Sequence, residues 1–223
     1  MNRTVIIAML IFSACSANTQ DRGGFQKFLN SFKETSKDRL GNFGIFLNEG
    51  ENMTVEQALE FVYHNDSSRL YCHFQEFNME TEERGEFTTE LYLPQKCLKL
   101  TTSEYILIGY STFECQDPSK LLKMSLTLKI LDSKKGHITD SLVVYCGNEY
   151  DWQMTGLISP LSNKIFTIER LGEKEFNGEA FIYKINDALK FEIEKQQKDI
   201  KKMTDDLVKG LELLGWREAF LEE

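Results

Sequence analysis

Five cysteines, three histidines and one acidic, aromatic loop are the residues with chemistry to offer in this chain of 223 residues. The histidines, His64, His73 and His137, stand apart from one another and from any cysteine pair at metal-ligand spacing. Cys72 and His73 are neighbours, and on a strand neighbours face opposite sides, so they cannot share one ligand. There is no nucleophile elbow, phosphate-binding loop or dinucleotide fingerprint. A cysteine nucleophile with a distant base stays open, because such pairs meet only in the fold. Cys72, Cys115 or Cys146 with His73 or His137 are the arithmetic candidates. The loop Gly147-Asn-Glu-Tyr-Asp-Trp152 is the richest candidate for binding. Its carboxylates suit Ca²⁺, and Tyr150 and Trp152, flanking Asp151, offer apolar faces with polar handles to a sugar or peptide. The alternative is a polar turn with Trp152 folded back on the core. The expectation is no catalytic residue, no metal, no cofactor and no enzyme activity.

Cys15 offers a different chemistry. It follows Met1-Asn-Arg, an apolar run from Val5 to Phe12, and Ser13-Ala14. A charged start, a short hydrophobic stretch and small residues at a junction describe a secretory signal. The run of about eight residues is far below the roughly 20 needed to span a bilayer. A cysteine directly after it reads as a bacterial lipoprotein signal over residues 1–14, with the Cys15 thiol as the lipidation site. Phe12 stands where such signals usually carry Leu. The alternatives are an ordinary signal cut near Ala17, and a first helix of a cytosolic protein. Residues 15–24 are polar and contain two glycines, as a flexible tether should.

The formal net charge is −9, and the leader would remove only Arg3 from the basic side. An acidic domain lacks the surface that displaces counterions from nucleic acid, and it has no electrostatic grip on anionic lipid. With Cys15 lipidated, Cys72, Cys97, Cys115 and Cys146 remain as possible disulfide cysteines, with three connectivities. Against pairing, Cys72 and Cys146 fall at strand positions, where a free thiol behaves as a small hydrophobe.

The elements that must position these residues follow from periodicity. Phe25, Phe28, Leu29 and Phe32 form one face of a helix. Thr54-Val-Glu-Gln57 fits a capping box, followed by the stripe Val55, Ala58, Leu59 and Val62. From Leu70 the period changes to two. Strands are expected at Leu70–Gln75, Phe87–Leu93, Tyr105–Tyr110, Met124–Ile130, Ser141–Cys146, Gln153–Ile158, Lys164–Arg170 and Ala180–Ile185. Leu189, Phe191 and Ile193 add the cleanest alternation. Asp132-Ser-Lys-Lys-Gly136 reads as a hairpin connection. Ile200, Met203, Leu207, Leu211 and Leu214 then form a helical stripe. The prediction is an α+β fold: an antiparallel meander of about seven or eight strands with N-terminal helices and a C-terminal helix. Residues 25–195 form the main domain, and residues 196–223 the helix packed on it. A closed β-barrel is the alternative, since sequential strands can curl shut to remove their edges.

Phe25 to Phe32, Met53-Thr-Val-Glu-Gln-Ala-Leu-Glu-Phe, Tyr105-Ile-Leu-Ile-Gly-Tyr and the stretch Leu126 to Tyr145 together resemble uncharacterised lipoproteins of Bacteroidetes. The resemblance covers most of Phe25 to Ile193 and is one of pattern, without a catalytic motif. It implies a cell-envelope lipoprotein with an antiparallel sheet, and it assigns no functional residues. The functional expectation is an exported protein held in the outer rather than the inner membrane by lipid, or else secreted. It would serve a non-enzymatic binding or structural role toward an unidentified protein or glycan. A surface-displayed hydrolase and a barrel-type carrier of small hydrophobic ligands are the alternatives.

Overall fold

The structure, a computed structural model, describes residues 22–36, 40–78, 80–81, 83–115, 122–148, 151–171, 177–202 and 206–221. The chain divides into two compact units, one ending at Ser31 and the other running from Phe32. The described part of the first is helix α1 (Arg22–Asn30), where Phe25, Phe28 and Leu29 are buried as the periodicity predicts. Phe25 and Phe28 stack at 6.3 Å.

The second unit opens with β1 (Gly41–Asn42), α2 (Phe43–Asn48) and β2 (Glu51–Asn52). The Asn42 side chain caps α2 by accepting from Gly44 N, and Phe43, Phe46 and Leu47 are its buried face. The capping box forms: Thr54 Oγ1 accepts from Gln57 N while Gln57 Oε1 accepts from Thr54 N, each at 3.2 Å. It starts α3 (Val55–Gln57), which runs on as a π-helical turn over Ala58–Val62. His64 and Asn65, both at positive φ, end it.

Ten strands follow: β3 (Tyr71–Asn78), β4 (Glu83–Leu91), β5 (Gln95–Thr101), β6 (Tyr105–Glu114), β7 (Lys123–Asp132), β8 (Ile138–Gly147), β9 (Trp152–Ser159), β10 (Lys164–Arg170), β11 (Gly178–Ile185) and β12 (Phe191–Ile200). β3 and β4 form their own hairpin sheet. The rest make one antiparallel sheet in the order β12-β11-β10-β9-β8-β7-β6-β5-β2, with β1 on β9. The meander is thus present as the eight consecutive strands β5 to β12, and β1, β2 and the β3–β4 hairpin bring the total among the described residues to twelve, more than the seven or eight expected. Two-residue β1 and β2 carry no periodic signature, and β5, a short Leu98/Leu100 alternation behind Pro94, lies among polar residues.

Among the described residues the sheet does not close into a barrel. β8 pairs with β9 only through Cys146↔Met154 and Gly147↔Trp152, while Leu157 and Ile158 of β9 pair with β1. The sheet therefore splays between β8 and β9. Side chains, not a strand ladder, join the start of β8 to the β11–β12 turn. Thr139 Oγ1 donates to Leu189 O at 2.7 Å, and Phe191 N donates to Asp140 Oδ2 at 2.9 Å.

The core lies on both faces of the second half of the sheet, because alternate residues point opposite ways. Ile158 and Ile165 face inward with Leu98, Leu107, Leu128 and α2. Leu157, Phe166, Ile168 and Ile182 face outward onto the C-terminal helices.

The expected helix over residues 196–223 is corrected. Lys195 to Ile200 extends β12, with Gly178↔Ile200 as the last pair on β11. The helical preference of Lys-Gln-Gln-Lys loses to the open backbone edge of β11, since pairing outweighs intrinsic propensity. Among the described residues the helix is two short pieces, α4 (Leu207–Leu213), capped by Asp206, whose carboxylate accepts from Val208 N and Lys209 N, and α5 (Arg217–Leu221). Met203 lies outside the described residues. Ile200, Leu207 and Leu211 still share one buried cluster. Leu189, expected in the last strand, sits instead in the turn at φ 55°.

Candidate functional site

The splay between the two halves of the sheet leaves a cavity of about 230 Å³. β5 and β6 supply Leu100, Tyr105 and Leu107 to one side of it. Ile158, Ile165 and Ile185 come from β9, β10 and β11 on the other. The turn after β9 contributes Pro160 and Leu161, and Leu161, 54% exposed, marks the mouth. These aliphatic side chains line the space because the inward-facing positions of five strands converge there.

Four uncharged polar residues, Thr102, Tyr105, Ser159 and Asn163, interrupt the apolar wall, and two of them pair with each other. Tyr105 Oη donates to Asn163 Oδ1 at 2.7 Å. Asn163 ends the β9–β10 turn at φ 51°, a left-handed conformation that asparagine tolerates better than most residues. Burial, with a smaller push from the Glu104 carboxylate, drives the Tyr105 phenol up to about 12, so it stays a neutral donor. Thr102 also lines the cavity, but its hydroxyl is spent on the β5–β6 turn. It donates to Tyr105 O at 2.9 Å and accepts from Tyr105 N at 3.0 Å and Glu104 N at 3.2 Å. Ser159 Oγ accepts from Ser162 N at 3.5 Å. Among the described residues no charged side chain lines the space.

None of the described residues singled out from sequence lines this cavity. Cys15 and Tyr150 lie outside the described residues. Asp151 is clasped: its N–H donates to Asn148 Oδ1 at 2.8 Å, and its Oδ1 accepts from Arg170 Nη1 at 2.7 Å. Trp152 is half-buried and packs against the outer cluster under the C-terminal helices. The carboxylate and the indole of this loop are thus engaged with the fold itself.

Cys72 and Cys115 form a disulfide, with Cα atoms 5.4 Å apart, that ties the β3–β4 hairpin to the end of β6. Aromatic contacts run the same way, Phe74 to Tyr92 at 6.1 Å and Tyr92 to Phe113 at 5.7 Å. Cys97 and Cys146 are free thiols. Burial pushes the Cys97 thiol up to about 11 against the opposing influence of Ser111, and it donates to Gln95 O at 3.3 Å. Cys146 lies 3.8 Å from both Ser125 Oγ and Gln153 Oε1. No histidine accompanies either thiol in these contacts. His73 Nδ1 lies 2.9 Å from Thr89 Oγ1 on the exposed hairpin, and His137 is exposed between β7 and β8. Among the described residues no three His, Cys, Asp or Glu side chains gather as a metal-ligand set.

Sequence reasoning missed the Tyr105–Asn163 pair. Its members are 58 residues apart, and each looks ordinary alone, one a strand residue and the other a turn residue.

No family model matches the chain, and neither curated proteins nor solved structures yield a match. No helix among the described residues is long and apolar enough to cross a membrane.

Proposed function

We propose that this chain is an exported, lipid-anchored protein of a bacterial envelope that binds a small apolar ligand without transforming it. The observation that carries the binding half is the cavity between the two halves of the sheet. It is mostly apolar, reaches the surface at Leu161, and has among its described residues four uncharged polar ones, with Tyr105 bonded to Asn163, and no nucleophile–base set. Binding sites have this composition, mostly aliphatic with a few placed polar groups. The leader ending at Cys15 carries the anchoring half, and the Cys72–Cys115 disulfide supports export, because such bonds persist in oxidising compartments.

The test has two arms. Full-length wild type and Cys15→Ser are expressed in a Gram-negative host, and detergent partitioning and the N-terminal peptide mass are compared. Wild type is expected in the detergent phase with an acyl mass, and the variant in the aqueous phase. Equal partitioning with no acyl mass would sink the anchor. The Cys15→Ser chain is then followed by methyl NMR under xenon, which enters dry apolar cavities. The methyls of Leu107, Ile158 and Ile165 are expected to shift. Unmoved resonances would remove the binding reading.

A further inference from the structure

We infer that the cavity between β5, β6, β9, β10 and β11 selects a compact, uncharged molecule of about nine non-hydrogen atoms, apolar except for one hydroxyl or carbonyl end held by Tyr105 and Asn163. This rests on the binding reading above and names the chemical class it would take.

Size is the first constraint. An apolar cavity of about 150 Å³ holds benzene, and simple proportion to 230 Å³ gives a ligand of about nine heavy atoms. A long acyl chain exceeds that. Charge is the second. Thr102, Tyr105, Ser159 and Asn163 are the polar residues of the wall, and none is ionised. A carboxylate or ammonium entering would lose its hydration with no counter-charge, which is far costlier than leaving it in water. The high titration point of the Tyr105 phenol agrees, since it keeps that group a neutral partner across the physiological range.

The polar end is the third constraint. Thr102 is committed to its own turn, and Ser159 Oγ accepts a long contact from Ser162 N at 3.5 Å and keeps its O–H as a lesser donor in the wall. Tyr105 and Asn163 spend one donor and one acceptor on each other. That leaves the Asn163 amide N–H groups and the lone pairs of the Tyr105 oxygen, a donor and an acceptor side by side. A hydroxyl satisfies both at once, and a carbonyl satisfies the donor. A pure hydrocarbon satisfies neither and still displaces the water these groups would otherwise hold.

The experiment is calorimetric titration of the full chain carrying Cys15→Ser with para-ethylphenol, para-ethyltoluene and oleate. The first two differ only by a hydroxyl in place of a methyl. The phenol is expected to bind about tenfold tighter than the toluene, as one net hydrogen bond allows, and oleate is expected to give no heat. Tyr105→Phe and Asn163→Gly should each shrink the phenol's advantage and leave the toluene unchanged. Glycine at 163 keeps the left-handed backbone, so that variant still folds if the phenylalanine does not. Leu161→Trp, at the exposed mouth, should weaken both small ligands. Equal affinity for phenol and toluene, or tight binding of oleate, overturns the inference while binding at the cavity stands. Absence of heat from all three, with the xenon shifts present, also overturns it. Absence of both removes the cavity as a binding site altogether.

Discussion

Asp132 shows how one side chain can set a turn. It ends β7, and its Oδ1 accepts from Lys134 N at 2.8 Å and Lys135 N at 2.9 Å, while Gly136 takes φ 69° to complete the reversal. The hydrogen bond from Lys135 N, aided by that from Lys134 N and by the nearby positive charge of Lys135, holds the carboxyl below the ordinary carboxylate range. A carboxyl with a lowered folded pKa adds stability above its unfolded value, and that stability is lost as pH falls through the folded value. Wild type should therefore be more stable than Asp132→Asn at neutral pH, and the gap should narrow below about pH 4. Urea midpoints of both proteins across that range check the sign. A gap that widens on acidification would be inconsistent with this role.

β9 and β10 show what a strand needs when both its faces are covered. Thr155 to Ser159 and Ile165 to Ile168 are buried without a break, between the inner core and the C-terminal helices. Gly156 lies opposite Thr167 in this pair, and a Cβ there would collide with the Phe166 carbonyl oxygen and crowd Thr167 Cα. Because the obstacle is backbone, relief requires β10 to shift and disturb both core faces. Gly156→Ala should cost about 1–3 kcal/mol or more, read as a lowered urea midpoint at unchanged slope. β12 solves the opposite problem. Its edge is lined with Glu, Lys and Gln, and its pairing to β11 carries irregularities at Gly178/Ala180 and Ile182/Tyr183. Charge and bulges on an edge strand discourage pairing with other chains.

The Cys72–Cys115 disulfide acts on the whole second unit. It closes 43 residues of sequence and fastens a hairpin that, among the described residues, has no strand pairing to the main sheet. A lone two-stranded hairpin is marginal in water, so its attachment comes from this bond, its aromatic contacts and Arg69, which lies over the Tyr63 ring at 4.9 Å and 3.6 Å from Glu114. Chain entropy puts the bond at about 4 kcal/mol. Reductant should lower the thermal midpoint of wild type, and the Cys72→Ser/Cys115→Ser double variant should start at the lowered value and ignore reductant. Hydrogen exchange should rise first in residues 71–78 and 83–91. A wild type indifferent to reductant would mean that the hairpin is held by packing alone.

What could be read from the chain was whatever repeats locally. The α1 face, the capping box at Thr54, the Asp132–Gly136 turn and most strands follow from residue types a few positions apart, and so does the antiparallel meander. Local pattern also found the burial of Ile200, Leu207 and Leu211, but not the element that carries Ile200. The end of β12 is decided by the free edge of β11, and the helical signal of residues 195–200 gives way to it. Barrel against open sheet was likewise undecided locally, since closure depends on whether the end strands β12 and β2 pair with each other, and among the described residues they do not. The site was the least legible part. Tyr105 and Asn163 meet across 58 residues, and Cys72 and Cys115 across 43, by virtue of strand order and curl. Of the conspicuous loop, Asp151 pairs with Arg170 while its side chain stays 59% exposed, and Trp152 packs on the core. Spacing along a chain determines what neighbours can do together, whereas a cavity is a property of several strands at once, and only their packing creates it.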